Sequence, residues 1–316
     1  MKKVLFVAHL QSHIRNFHLS FLKHLKDKGF FVAVATKIYD INFARSPFTF
    51  STLKNYKILL DLFNNETYDI VHCHTPVAGI LTRLAAHNSK HNMKVYYTAH
   101  GFHFFKGAPL LNWLIYYPAE YLCSKYTDVL FTMNKEDYCL AKEKFKQTNV
   151  VYIHGAGINV DAYNVSDNDS DVLEFVNVAE MIKRKNQITI IKAMEKLTDL
   201  KWHLTIAGDG VLENELKTYV NSHNLSGRVT FIGHVKPVTK AFEKKDVFLF
   251  SSFHEGLPVA VMEAMACGLP CIVSNVRGNT ELIDDNGGIV VDNNVDAFAE
   301  AILLIVKQKK YWKLMG

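Results

Sequence analysis

Short apolar runs alternate with longer segments that carry their apolar residues on one face, through most of the chain. Short runs of this kind are typical of buried parallel strands, and the longer segments are typical of the helices that cover them. In the first half, the pattern predicts strands at residues 4–8, 31–35, 70–73, 94–98, 129–132 and 150–153. It predicts helices between them at residues 17–28, 52–65, 78–87, 110–125 and 135–145.

The apolar runs resume after a polar segment rich in Asn, Asp and Ser. The strands predicted in this second half lie at residues 174–179, 202–207, 229–232, 247–250 and 271–273. Because strands alternate with helices in both halves, the sequence predicts an α/β protein with two doubly wound domains. We place the first domain at residues 1–155, a linker at 156–171 and the second domain at 172–316.

The segment 253–270 carries the most informative polar residues. Glu255 lies in a turn after a predicted strand, and Glu263 lies inside the helix that follows. Ligands bind at the carboxyl ends of strands in open α/β sheets, so this turn is a candidate site. The N–H groups that open the helix favour an anion such as phosphate, and Gly256 has no Cβ to keep the phosphate away.

The first turn of this helix is predicted to include Leu257, Pro258 and Val259, where proline is tolerated because its missing N–H would be unpaired anyway. A single glutamate on a helix is more often solvated than functional. This helix is apolar on every side, which predicts burial, and a buried carboxylate needs a partner. We therefore expect Glu255 to accept hydroxyl groups of a sugar, and Glu263 to accept those of a ribose.

Other polar residues also follow predicted strands. Lys183, Arg184 and Lys185 form a run that is commonly a solvated loop, but its position at a strand end favours phosphate binding by Lys185. Gly208 and Gly210 permit a tight turn.

Asp209, between these two glycines, is a candidate cap for the next helix. His100 precedes a glycine at a strand end, which favours a functional role over a purely structural one. His72 and His74 share one face of a strand. No further ligand cluster is evident near them, so ordinary strand-end residues are preferred to a metal site.

The segment HEGLPVAVMEAMACGLPCIVS, residues 254–274, resembles the signature of the retaining glycosyltransferase family 4, which has the GT-B fold. The turn around residues 206–213 and the segments 231–235 and 278–283 are also similar to the family, so the resemblance covers essentially the whole chain. It implies two Rossmann-like domains that face each other across a cleft. The first is expected on the acceptor side, and the second is expected to bind the nucleotide-sugar donor.

The resemblance also assigns roles to single residues. Lys185 matches the lysine that grips the donor diphosphate. Glu180 stands where many members have an arginine, and Arg184 and Lys183 are the cations available instead. His100 matches the histidine that faces the donor sugar. The nucleotide base is expected near the residues that end one strand of the second domain: Gly233, His234 and Val235.

Segments of the first domain resemble a subgroup that acts in capsule and exopolysaccharide assembly. They are residues 13–18, 45–48 and 99–104. His13 and His103, which lie in two of these segments, are the candidate acceptor-side residues.

The reaction that the resemblance implies moves a hexose or an N-acetylhexosamine from a UDP-sugar to a polyprenyl-diphosphate-linked saccharide, with retention of configuration. The donor phosphate takes the acceptor proton, so no protein nucleophile, cofactor or metal is expected. Two alternatives stay open. One is a UDP-sugar 2-epimerase of the same fold. The other is an inactive sugar-nucleotide-binding homologue, because the chain stops at Gly316 where relatives continue into further helices.

The composition indicates the cellular compartment that we expect. The chain has 316 residues, of which 49% are hydrophobic, and it has no apolar stretch long enough for a transmembrane helix. Its N-terminus lacks the features of a signal peptide, and its five cysteines show no disulfide or metal spacing. These observations predict a cytoplasmic protein.

The distribution of charge along the chain indicates which partners to expect. Residues 1–150 carry 19 basic and 10 acidic residues, a net charge of +9, whereas residues 151–316 carry 17 and 21, a net charge of −4. A basic half beside an acidic half predicts that the first domain faces something anionic. The anionic inner surface of the bacterial membrane or a diphosphate-linked acceptor fits better than nucleic acid, for which no motif is present, and ordinary surface variation is the alternative. The aromatic segment 110–122 is predicted to pack in the core, with an interfacial helix as the alternative.

Overall fold

The computed structural model describes residues 1–9, 14, 18–35, 43, 50–164, 168, 170–284 and 286–307. The chain divides into two units, residues 1–157 and 158–316. In the described part, each unit contains one six-stranded sheet, and all strand pairs are parallel. The prediction of an α/β chain with two doubly wound sheets is therefore confirmed.

The first unit alternates strands and helices. Its strands are β1 (Lys3–Val7), β2 (Phe31–Val34), β3 (Ile70–His74), β4 (Lys94–Ala99), β5 (Val129–Thr132) and β6 (Asn149–Tyr152). Its helices are α1 (Leu19–Asp27), α2 (Phe50–Asn65), α3 (Pro76–His87), α4 (Leu110–Ser124) and α5 (Lys135–Lys144). The strands lie in the order β2-β1-β3-β4-β5-β6.

The second unit repeats this alternation. Its strands are β7 (Leu173–Val178), β8 (Trp202–Ala207), β9 (Val229–Gly233), β10 (Val247–Phe250), β11 (Cys271–Ser274) and β12 (Gly288–Val291). Its helices are α6 (Gln187–Glu195), α7 (Glu213–Ser222), α8 (Thr239–Phe242), α9 (Val259–Ala266) and α10 (Val295–Lys307). The strands lie in the order β12-β11-β10-β7-β8-β9.

Both faces of each sheet are covered, which explains the continuous apolar runs. Along β10, Val247 and Leu249 belong to one apolar cluster, and Phe248 and Phe250 belong to another on the opposite face. Successive side chains of a strand point to opposite faces, so every residue of such a strand has to be apolar. None of the helices in the described ranges is both long and apolar enough to cross a membrane.

Every strand predicted from the sequence is present, with ends that differ by at most one residue. Strand β12 was not predicted. It lies at the edge of its sheet, begins at Gly288, and has three residues of intermediate burial, so its apolar pattern is weaker than that of the central strands.

Helix α4 has two different faces. Its inner aromatic side chains pack against the core of the first unit, as predicted: Trp113, Tyr116 and Tyr117. The other side exposes large apolar side chains, which we call the exposed leucine face: Leu110, Leu111, Leu114, Tyr121 and Leu122. Core packing, the role predicted for this segment, therefore applies to only one face of the helix.

A buried ion pair joins α3 to α4. Arg83 Nη2 donates to Glu120 Oε2 at 2.8 Å, and the two side chains are 1% and 3% exposed. Tyr97 Oη, from β4, donates to Glu120 Oε1 at 3.0 Å, and the Arg83 guanidinium lies 4.0 Å from the centroid of the Tyr97 ring. Arg83 Nε donates to the carbonyl of Gly79 at 3.0 Å. Both carboxylate oxygens have partners, which is the condition under which a buried charge is tolerated.

We expect Arg83→Met to destabilise the first unit by about 3–5 kcal/mol, because the Glu120 carboxylate stays buried without its cation. The second substitution Glu120→Gln should recover part of this loss, since it removes the uncompensated charge. Hydrogen–deuterium exchange of peptides from α3 and α4 measures the effect, and peptides from β7 and β8 in the same sample serve as the control. Unchanged protection of α3 and α4 in Arg83→Met contradicts this role.

Candidate active site

The order of the second sheet creates a crevice between β7 and β10. From β7 the chain continues to β8 and β9 on one side, and it then returns to form β10, β11 and β12 on the other side. The loops after β7 and β10 therefore leave the sheet in opposite directions. Such a topological switch point is where ligands bind in open α/β sheets.

The two loops at this crevice carry the predicted polar residues. The loop after β7 forms a short 3₁₀ turn, Lys183–Lys185, and α6 starts after Asn186, whose left-handed backbone has a φ of 53°. The turn after β10 leads into α9, which begins at Val259. Pro258 is the N-cap, with an extended backbone, and does not lie in the first helical turn as predicted.

Glu255 accepts hydrogen bonds from both cations of the neighbouring loop. Its Oε1 lies 2.6 Å from Arg184 Nη1 and 2.6 Å from Lys185 Nζ. The Glu255 side chain is 8% exposed, and that of Lys185 is 14% exposed. Arg184 Nη1 also donates to the carbonyl of His254 at 3.0 Å, and the Phe253 N–H donates to the carbonyl of Arg184 at 2.8 Å.

The charges of this cluster depend on one another. Burial by itself would raise the pKa of Glu255, but the Lys185 and Arg184 cations outweigh it and lower that pKa. Burial lowers the pKa of Lys185, while Glu255 opposes this effect and Arg184 adds to it. Glu255 is therefore ionised at neutral pH, and the three groups together carry a surplus of one positive charge when both cations are protonated.

Glu263 lies on α9 beside a tyrosine from the start of the second unit. Tyr163 Oη donates to Glu263 Oε1 at 2.8 Å. Burial raises the pKa of Glu263, and the hydrogen bond from Tyr163 opposes this rise. The prediction that α9 is buried all round is wrong: Val261 and Ala264 are buried, but Met265 is 37% exposed. Only the face of α9 that lies on the sheet is covered.

The two glycines after β8 pack against the loop after β7. A Cβ on Gly208 would lie 2.1 Å from the carbonyl oxygen of Ala179, and one on Gly210 would lie 2.4 Å from that of Met181. Asp209 does not cap α7 as predicted, because the N-cap of that helix is Leu212 and no side chain caps it. The backbone carbonyl of Asp209 instead accepts a hydrogen bond from Met181 N–H at 2.7 Å.

The predicted base-binding segment adjoins the same turn. Gly208 N–H donates to the carbonyl of Gly233 at 2.7 Å, and Gly233 has a left-handed φ of 65°. His234 is exposed, and Val235 has intermediate burial. Glu180, at the end of the β7 loop nearest these residues, is exposed, and its backbone carbonyl accepts from Gln187 Nε2 at 3.0 Å.

Two residues near Glu255 were not assigned a role from the sequence. A Cβ on Gly278 would lie 2.7 Å from the carbonyl oxygen of Gly256, so this glycine allows the following segment to approach the Glu255 turn. Asn293, after β12, donates through Nδ2 to the carbonyl of Ser251 at 2.8 Å. The similarity of segment 278–283 to the family could have pointed to Gly278, whereas Asn293 was missed together with β12.

Three histidines meet at the carboxyl edge of the first sheet. His74 ends β3, His100 follows β4, and His18 directly precedes α1. His74 Nδ1 lies 3.3 Å from His100 Nε2, and one ligand-capable nitrogen from each of the three rings lies within 4.8 Å of the others. The prediction that no further ligand cluster accompanies His72 and His74 is therefore wrong, because the other two histidines are distant in sequence.

His72 and His103 lie near this cluster. His72 Nε2 is 2.8 Å from Thr98 Oγ1, and burial, followed by the proximity of His18, lowers the His72 pKa to about 3. His72 is therefore neutral at physiological pH. The exposed ring of His103 packs on Tyr116 at a centroid distance of 4.6 Å.

His13 and the segment 45–48 lie outside the described residues.

Family models match both units. The model described as "Glycosyl transferases group 1" matches residues 163–315, and the model described as "Glycosyl transferase 4-like" matches residues 3–133. These ranges include the Glu255 crevice and the histidine cluster, respectively.

Relatives match over most of their length. The chain is 38% identical to the Bacillus subtilis (strain 168) protein EpsD, which is named as a glycosyltransferase, over 100% of this chain and 90% of EpsD. It is 30% identical to the Escherichia coli UDP-Gal:alpha-D-GlcNAc-diphosphoundecaprenol alpha-1,3-galactosyltransferase, over 82% of this chain and 72% of that enzyme.

A solved structure shares the fold. Anabaena HepE in complex with UDP and glucose matches with a TM-score of 0.78 at 16% identity, over 100% of this chain and 92% of HepE. The two family models, the two relatives and the paired parallel sheets agree: this chain belongs to the GT4-type glycosyltransferases and has the GT-B fold.

Proposed function

We propose that this protein transfers a hexose or an N-acetylhexosamine from a UDP-sugar to a polyprenyl-diphosphate-linked saccharide, with retention of configuration. The observation that carries this proposal is the buried cluster of Glu255, Arg184 and Lys185 at the switch point of the second sheet. Two comparisons support the choice of partners: HepE was solved with UDP and glucose, and the Escherichia coli relative is named for a UDP-sugar donor and a diphosphoundecaprenol-linked acceptor.

The cluster has the charge that a diphosphate requires. One carboxylate and two cations leave a surplus positive charge at a strand end, where α9 also presents its N-terminus without a side-chain cap. In the proposed complex, the diphosphate competes with Glu255 for Lys185 and Arg184. The Glu255 oxygens then accept hydroxyl groups of the sugar, and the N–H groups around Gly256, Leu257 and Val259 face the phosphates.

The nucleoside occupies the rest of the crevice in this proposal. Tyr163 already holds Oε1 of Glu263, so Oε2 is the oxygen that we assign to the ribose hydroxyls. The base lies against the residues that follow β8 and end β9: Gly208, Gly210, Gly233, His234 and Val235. Gly208 packs tightly on Ala179, which restricts the position of these residues relative to the cluster of Glu255, Arg184 and Lys185.

The reaction that we propose needs no nucleophile from the protein. The bond from the anomeric carbon to the diphosphate oxygen breaks, and the acceptor hydroxyl forms its bond on the same face. The acceptor proton moves to the departing phosphate. Lys185, Arg184 and the backbone N–H groups stabilise the charge that develops on the diphosphate, which is the effect that metal ions supply in other transferases. His100 donates a hydrogen bond to a sugar hydroxyl. Metal independence of the transfer stays a prediction.

We also propose that the first unit rests on the anionic inner surface of the bacterial membrane. Residues 1–150 carry a net charge of +9, and the exposed leucine face of α4 adds an apolar surface. Leu110, Leu111 and Leu114 are 81%, 64% and 74% exposed. An apolar helix face on a domain of net positive charge is a combination that can hold a protein at an anionic bilayer surface.

The Glu255→Gln variant should lose transfer from the donor by roughly 100-fold or more, because the neutral amide no longer holds the cations or accepts the sugar hydroxyls with full charge. The rate of sugar transfer is measured with radiolabelled UDP-sugars and a GlcNAc-diphosphate-lipid acceptor. Glu215→Gln, at an exposed position on α7, is the matched control.

Three outcomes overturn the proposal. They are transfer by Glu255→Gln at the parental rate, an isomer formed from UDP-GlcNAc without acceptor, and UDP binding without transfer to any acceptor. The second indicates a 2-epimerase, and the third indicates an inactive binding homologue.

The Lys185→Ala variant should bind UDP about 10–100-fold more weakly, since a charge-assisted hydrogen bond to the diphosphate is lost. Calorimetric titration with UDP measures the affinity. Lys183→Ala removes an exposed cation from the same 3₁₀ turn and should bind UDP as the parent does. Equal affinities of the Lys185→Ala and Lys183→Ala variants count against a diphosphate contact at Lys185.

The Leu114→Asp variant should reduce the vesicle-bound fraction by about tenfold, because it places a charge on the apolar face of α4. Flotation with vesicles of phosphatidylglycerol and phosphatidylcholine measures binding. Leu53→Asp, at a position on α2 that is 68% exposed, is the control. If the parent floats equally with neutral and anionic vesicles, the electrostatic part of the membrane proposal is wrong.

A further inference from the structure

The carboxyl edge of the first sheet holds three imidazoles from three separate elements. His74 is the last residue of β3, His100 follows the end of β4, and His18 lies at the start of α1. One nitrogen from each ring lies within 4.8 Å of the other two. This edge is also a switch point, because β1 is flanked by β2 on one side and β3 on the other.

The separation of two of these nitrogens is that of ligands on a single metal ion. A tetrahedral zinc with Zn–N bonds of about 2.0–2.1 Å places its ligand nitrogens about 3.3 Å apart. His74 Nδ1 and His100 Nε2 are 3.3 Å apart. His18, within the 4.8 Å limit, has to approach by about 1.5 Å at most to complete the same geometry.

Packing restricts these rings to a small range of positions. His74 is 1% exposed and His18 is 6% exposed, and their ring centroids are 4.2 Å apart. Phe6 of β1 stacks on His74 at a centroid distance of 5.8 Å. A ligand set that is held in place by surrounding side chains needs little reorganisation when the ion binds.

The chemistry of the donors selects the class of ion. Neutral imidazole suits zinc, copper, nickel and iron, whereas magnesium and calcium prefer oxygen ligands. The described cluster consists of histidines alone, without a carboxylate. His100 has intermediate burial, so the cluster is reached from the side of this residue.

We propose that His18, His74 and His100 form a three-histidine site for a divalent transition-metal ion, with zinc as its natural occupant. Three protein ligands leave a fourth position for water or another small ligand. His72 supports the site from beside it, because its Nε2 contacts Thr98 Oγ1 and its ring lies 4.3 Å from that of His74. The site lies within the first unit but shares His100 with the proposed transfer, because an ion on Nε2 leaves only Nδ1 of that ring as a donor for the sugar contact.

Cobalt and zinc titrations of the tag-free full-length chain, without nucleotide, test the site. We expect one Co²⁺ per chain with the visible absorption of a tetrahedral complex, and displacement of this ion by Zn²⁺. Loss of an outer-shell partner weakens metal binding by about 10–100-fold. Substitution of His74 or His18 by alanine removes a ligand itself and should weaken Co²⁺ binding by more than this. His24→Ala, at an exposed position on α1, should bind the ion as the parent does.

Circular dichroism of each variant separates loss of the site from loss of the fold. His100 is less buried than the other two ligands, so His100→Ala keeps the test available if the His74 variant does not fold. Sub-stoichiometric binding by the parent overturns the proposal, as does parental affinity in folded variants of His18, His74 or His100. The titrations contain no nucleotide, so failure of the metal site can be told apart from failure of UDP binding or of transfer.

Discussion

A carboxylate buried at the end of a parallel strand cannot remain charged without a cation, and Glu255 has two. Its contacts with Arg184 and Lys185 connect the turn after β10 to the loop after β7, across the switch point of the second sheet. Further backbone contacts, such as that between Phe253 and the Arg184 carbonyl, fix the same two loops to each other. The position of α9 and the geometry of the proposed donor site both depend on this arrangement. Removing both cations would leave the Glu255 carboxylate buried without a partner, so the site and the local fold are held by the same interaction.

Both units use the carboxyl edge of a parallel sheet in the same way. In each sheet the apolar residues fill the two covered faces, and polar side chains collect where strands end. The second unit gathers a carboxylate and two cations there, whereas the first gathers imidazoles. Two parallel sheets with different strand orders therefore present a carboxylate with two cations in one unit and a group of imidazole nitrogens in the other. The difference comes from a few residues at or just beyond strand ends and, for His18, at the start of a helix.

Much of this architecture could be predicted from the sequence, because a strand that is covered on both faces leaves a continuous apolar run. Strand β12 was missed since its edge position leaves it only partly buried. Glu255, Lys185 and His100 could be singled out by their place after a strand. The contacts of Glu255 with Arg184 and Lys185 could not be predicted, because these residues are about 70 positions apart. The order of strands in the sheet decides which loops meet. The histidine cluster was missed for the same reason. The predicted helix cap at Asp209 and the predicted burial of α9 on every side were wrong for a different reason. Both rested on a local sequence pattern that the contacts of the folded chain outweigh.

The ion pair between Arg83 and Glu120 has a consequence for how this protein changes over evolutionary time. It fastens the inner side of α4 by charge and hydrogen bonds that involve only a few buried atoms. The outer side contributes little to that attachment, since its leucines face solvent. Substitutions on the outer side are therefore nearly neutral for folding, while each one alters what the helix touches. The exposed side of this helix can therefore change in evolution without any compensating change in the core.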